Sequence, residues 1–96
     1  MDMLIIVSNS ESGPLASALA LAAERANASW AVFFTNDGVR ILADDRFVAA
    51  MQGAQNAVAC HESWQTHMAE KPCPIEEGSQ TNNSALVAQA ARIISL

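Results

Sequence analysis

Three apolar runs of strand length constrain this chain more than any other feature: Met3-Leu4-Ile5-Ile6-Val7, Trp30-Ala31-Val32-Phe33-Phe34-Thr35 and Asn56-Ala57-Val58-Ala59-Cys60. None alternates apolar with polar residues. Continuous runs of this kind belong to strands covered on both faces, as in parallel sheets. Helical periodicity fills the gaps between them. Leu15, Ala18, Leu19, Ala22, Ala23 and Ala26 recur at helical spacing behind Ser12, an N-cap candidate, and Pro14, which a first helical turn accepts. Phe47, Val48 and Met51 predict a short helix after Asp44-Asp45. Trp64 and Met68 share a face of a helix that starts near His61. Val39 to Ala43 is compatible with helix or strand. The segment from Glu70 to Gln80, with Pro72, Pro74 and Gly78, reads as loop, with a very short strand at Ile75. Thr81 to Ser84 offers caps for a helix bearing Leu86, Val87, Ala90 and Ala91, and Ile93 to Leu96 reads as a closing strand. Alternating strands and helices imply right-handed crossovers, hence an α/β fold with a mainly parallel sheet of about five strands and helices on both sides.

The 96 residues form one expected domain, residues 1–96, with no internal repeat or linker. The formal net charge of −5 rests on only five Lys and Arg, none clustered. That argues against direct nucleic-acid binding and against an anionic membrane surface, both of which call for clustered positive charge. No basic segment precedes Met3–Val7, and no apolar stretch approaches membrane-spanning length, so a cytoplasmic location is expected. Two cysteines in that compartment are expected as thiols rather than a structural disulfide.

Cys60 stands where the third apolar run gives way to His61-Glu62-Ser63. In an open α/β sheet, ligands bind beyond the carboxyl ends of the strands. A thiol there faces the free N–H groups of the next helix, whose dipole lowers thiol pKa. Its competing reading is a small buried apolar residue. His61 next to it has two readings, a partner for the thiolate or a solvated first-turn residue; Glu62 reads as solvated. Asp37-Gly38 forms a turn at the same end of the sheet, with Gly38 expected at positive φ. Cys73, between Pro72 and Pro74, is a candidate resolving thiol or a loop cysteine without a role.

Cys60, His61, His67 and Cys73 are metal-compatible and offer a Cys/His metal-binding module as the least favoured alternative, but their spacing matches no common zinc motif, and no metal is expected. Trp64 reads first as core and second as an interface residue. Ser8-Asn9-Ser10 lacks the glycines of a phosphate loop. No dinucleotide fingerprint, G-x-S-x-G elbow or H-E-x-x-H is present.

Three segments together resemble the DsrE/DsrF/DsrH-like sulfur-relay family, which includes the TusBCD-like relay of tRNA thiolation. Val32-Phe33-Phe34-Thr35-Asn36-Asp37-Gly38-Val39 looks like its aromatic strand and Asp-Gly-Val turn. Asn56 to Cys60 is similar to the strand that ends at the sulfur-accepting cysteine. Asn83 to Val87 and Ala91 to Leu96 are similar to the closing helix and terminal strand. The resemblance implies a DsrE/F-like three-layer α/β/α sandwich working in homo- or hetero-oligomers with other sulfur-relay proteins. It implies a sulfurtransferase-type persulfide carrier with Cys60 as the active residue, and no cofactor. His61, Asp37 and Gly38 are then the expected surroundings of the thiol. Ala91 stands where the family's closing triplet has Asp, and His61-Glu62-Ser63-Trp64 replaces a small-residue helix start. With the chain's short length, these departures keep a second expectation, a non-catalytic DsrH-like assembly subunit.

Overall fold

The computed structural model describes residues 1–96. Strands β1 (Met3–Val7), β2 (Trp30–Phe34), β3 (Asn56–Cys60), β4 (Glu76–Gly78) and β5 (Arg92–Ser95) form one sheet. Its order is β4-β3-β2-β1-β5, and every neighbouring pair is parallel. Helices α1 (Gly13–Arg25), α2 (Asp45–Ala50), α3 (His61–Met68) and α4 (Gln80–Gln89) alternate with the strands, with 3-10 segments at Ser10–Ser12 and Asn36–Ala43. The chain steps from β1 outward to β4, then returns in one crossover to place β5 on the far side of β1. Right-handed connections that run in opposite directions across a sheet must lie on opposite faces.

The buried side chains divide in that way. One cluster joins Ile5, Val7, Trp30, Val32, Phe34 and Ala59 to α1, the Asn36–Ala43 segment, α2 and α3. The other joins Leu4, Ala31, Phe33, Val58 and Cys60 to Leu86 of α4. The runs are continuous and apolar because alternate residues of each strand meet different helical layers. The first layer is the better filled. Phe34 and Phe47 meet edge-to-face at 5.8 Å between ring centroids, a favourable geometry for aromatic quadrupoles. Both indoles are buried in this layer with their N–H groups paired, Trp30 Nε1 to Glu24 Oε1 at 2.7 Å and Trp64 Nε1 to the Lys71 carbonyl at 2.6 Å. Trp64 is therefore a core residue.

Helix α1 turns a different stripe inward from the one its periodicity suggests. Ala16, Ala20 and Ala23 are buried, whereas Leu15 and Leu21 are about half exposed, at 54% and 51%. Small side chains let the helix sit close to strands already carrying Trp30 and Phe34. Ser12 occupies the N-cap position without a side-chain cap bond; Asn9 caps the preceding turn by accepting from the Glu11 N–H at 2.8 Å. The ambiguous Val39–Ala43 stretch is 3-10 helix and buries Val39 and Leu42. The short strand expected at Ile75 begins one residue later, at Glu76. Helix α4 starts at Gln80 behind a Ser79–Asn82 capping box, and Ala91 lies beyond its end.

Candidate functional site

Cys60 ends β3 and is the N-cap residue of α3, with extended backbone angles of φ −61° and ψ 121°. An N-cap carbonyl already accepts the first helical bond while its side chain faces the free amides of the first turn. The thiol lies on the α4 side of the sheet. Beside it, a cavity of about 320 Å³ is lined by Cys60, His61 and Glu62 at the start of α3 and by Gly78, Ser79, Gln80 and Thr81 at the start of α4. Two helix N-termini thus border the same space.

The donors around the sulfur come from the starts of α3 and α4, and the residues after β2 hold them. Gln80 Nε2 lies 3.6 Å from Cys60 Sγ and donates also to Thr35 Oγ1 at 3.3 Å. Ser63 Oγ accepts from the Asn36 N–H at 2.8 Å and sits 3.4 Å from Thr35 Oγ1. Burial raises the thiol pKa. It is outweighed by hydrogen bonds from the Ser63 hydroxyl and amide, the Gln80 side chain and the Glu62 amide, so the Cys60 pKa falls below its ordinary value. Donors to the charged form favour that form, and they gain strength where water is excluded.

His61 lines the cavity and is largely exposed, its Nδ1 2.9 Å from Glu77 Oε1 on β4. Asp37 is directed elsewhere, accepting from Ser10 Oγ at 3.2 Å and tying the Asn36–Ala43 segment to the turn after β1. Gly38 corrects an expectation about backbone conformation, since no glycine in the chain has positive φ. Asn36 takes the left-handed conformation, at φ 51°. Gly38 is required by close approach, because a Cβ there would lie 2.8 Å from the Val7 carbonyl carbon. Neither Asp37 nor Gly38 lines the cavity at Cys60.

Cys73 packs against the cluster on the opposite face of the sheet, and both cysteines are free. Burial holds the Cys73 pKa above its ordinary value, with Glu77 adding to the effect against a hydrogen bond from the Ile75 backbone. No three His, Cys, Asp or Glu side chains gather as a metal-ligand group. The Ser8-Asn9-Ser10 turn spends its polar side chains internally: Ser8 Oγ on the Leu96 carbonyl, Asn9 on Glu11 and Ser10 on Asp37.

A model of the DsrE/DsrF-like family matches residues 1–76, which include β1 to β3 and Cys60. The chain belongs to the DsrE/DsrF-like family. The parallel five-stranded sheet with helices on both faces agrees with a DsrE/DsrF-like α/β fold. DsrE/DsrF-like membership points to a sulfur-relay role, the family generally working in sulfur-relay complexes. No curated protein matches the chain. No helix is long and apolar enough to cross a membrane.

Sequence reading missed Ser63, Thr35 and Gln80 as neighbours of the thiol. Ser63 falls one helical turn after Cys60 and carried a signal as a first-turn hydroxyl. Gln80 carried none, because its approach depends on Glu76–Gly78 pairing with β3, where Gly78 stands opposite Cys60.

Proposed function

We propose that the protein is a cytoplasmic persulfide carrier that accepts sulfane sulfur on Cys60 and passes it to a partner protein. The observation that carries this reading is a thiol at the strand end beside an open cavity bordered by two helix starts, with the Gln80 amide 3.6 Å from the sulfur and the thiol pKa lowered. A group in a cleft whose pKa is shifted by specific neighbours is a functional candidate. DsrE/DsrF-like membership supports a role in sulfur relay.

In the proposed reaction the Cys60 thiolate attacks the outer sulfur of a donor persulfide R–S–SH. The Cys60 S–S bond forms as the donor S–S bond breaks, and the donor leaves as the thiolate R–S⁻, giving Cys60–S–SH. An acceptor thiolate then attacks the outer sulfur, takes the SH group and releases the Cys60 thiolate. Each step is an exchange at sulfur with no net oxidation and no cofactor. The amides at the start of α3 stabilise the negative sulfur at the beginning and end of the cycle. Cys73 is outside this cycle, since its thiol packs on the other face of the sheet.

The role places the chain in a homo- or hetero-oligomeric relay. Leu15, Leu21, Val87 and Ile93 leave apolar side chains at the surface in support of assembly. Intact-mass measurement after incubation with polysulfide tests the reading. Wild type and Cys73→Ser are expected to gain reducible increments of sulfur, and Cys60→Ser none. A folded wild type that gains no sulfur on Cys60 would overturn the carrier and favour a non-catalytic assembly subunit.

A further inference from the structure

The family match ends at residue 76, yet one donor to the active sulfur comes from beyond it. Gln80 is the first residue of α4, and its side-chain amide carries two N–H groups. Thr35 Oγ1 accepts from this amide at 3.3 Å, and Cys60 Sγ lies 3.6 Å from the same nitrogen. Thr35 in turn sits 3.4 Å from Ser63 Oγ, which is anchored by the Asn36 amide. The Gln80 amide is therefore tied to Thr35, just beyond β2, and aimed at the end of β3.

The approach is built into the backbone. Gly78 stands opposite Cys60 in the β3–β4 ladder. A Cβ at Gly78 would come within 2.7 Å of both Val58 Cγ1 and Asn82 Oδ1, so any larger residue would displace one of these side chains where α4 starts beside β3. Asn82 Oδ1 closes the capping box on Ser79, leaving the Gln80 side chain free to reach the sulfur.

We propose that Gln80 is a positioning residue for the Cys60 sulfur, donating a hydrogen bond that holds the thiolate, and then the inner sulfur of the persulfide, toward the cavity between the starts of α3 and α4. Sulfur is a soft, weak acceptor when neutral and a much better one when negative, so the contact strengthens as the thiol ionises. Rotation about χ1 would otherwise let the sulfur move between staggered positions, and the amide holds it beside the cavity that Cys60 and Gln80 both line. The inference rests on the carrier reading for its purpose, while its test does not require sulfur transfer.

The test is the pH profile of Cys60 alkylation by iodoacetamide, followed by mass in a Cys73→Ser background, for Gln80→Met and Gln80→Glu. The Met side chain keeps the length and removes the donor. The Glu side chain keeps the shape and sets a carboxylate against the thiolate. The expected order of midpoints is Gln80 lowest, then Met, then Glu, with alkylation at pH 7 roughly threefold slower for Met and slower still for Glu. Gln80 is exposed, so thermal melts of both variants are expected to match the parent. Folded variants with an unshifted midpoint would overturn the inference, even if wild type loads sulfur. Shifted midpoints in a protein that takes up no sulfur would uphold the positioning role and overturn the carrier reading instead.

Discussion

At the scale of the residue, chemistry at Cys60 is decided by its hydrogen-bond donors rather than by burial. The thiol is buried, and burial alone would raise its pKa, as it does at Cys73. The difference between the two cysteines is the helix start that follows one and not the other. That much was legible in the sequence, because an apolar run meeting His61-Glu62-Ser63 marks a strand end and a helix start together. Ser63 deserves the closest test among the donors from α3. Its hydroxyl accepts from the Asn36 amide, which leaves its own hydrogen free for the sulfur. Ser63→Ala is expected to raise the Cys60 pKa, slowing alkylation at neutral pH. It should also cost about 1 kcal/mol of stability through the Asn36 amide, which is left without its partner. Alkylation profiles and urea titration of the same variant check both effects.

At the scale of the element, the close contacts between turns explain where glycine is indispensable. Asp37-Gly38 was legible as a turn, but not the reason for its glycine. That reason is a neighbour distant in sequence, the end of β1, against which the Asn36–Ala43 segment is pressed. A backbone carbonyl cannot yield as a flexible side chain does. Gly38→Ala is therefore expected to destabilise by roughly 1–3 kcal/mol, in the range of other overpacked sites. Denaturant midpoints measure the loss, and an unchanged midpoint would mean the two segments are not in contact. The displaced stripe on α1 has a similar origin. Periodicity finds the repeat of a helix, while the choice between Leu15 and Ala16 as the inward residue depends on the space left by Trp30 and Phe34 across the interface.

At the scale of the whole molecule, the two thiols contribute to stability with opposite dependence on pH. Cys60 has a folded pKa below its unfolded value, so its contribution grows as pH rises from the folded value and is complete above the unfolded one, about 8.5. Cys73 has a folded pKa above its unfolded value. Its contribution is complete below the unfolded value and is lost as pH rises through the folded one. Between pH 7 and pH 10, Cys60→Ser is thus expected to lose more stability than wild type, and Cys73→Ser less. Chemical denaturation at both pH values tests the order, and a reversed order would contradict the two environments. Fold class was legible because the three main strands are long and uniformly apolar. The site was legible only in part, because it is assembled from the turn after β2, the end of β3 and the starts of α3 and α4, and α4 reaches it through a strand with no apolar signature at all. That strand, β4, has a further consequence. It presents three ladder positions, two of them the exposed Glu76 and Glu77. A short, negatively charged border is a poor template for another extended chain. The sheet is in effect sealed against strand augmentation on the side nearest the sulfur, so the proposed carrier role calls for a partner that comes over the rim where the strands end rather than by lengthening the sheet.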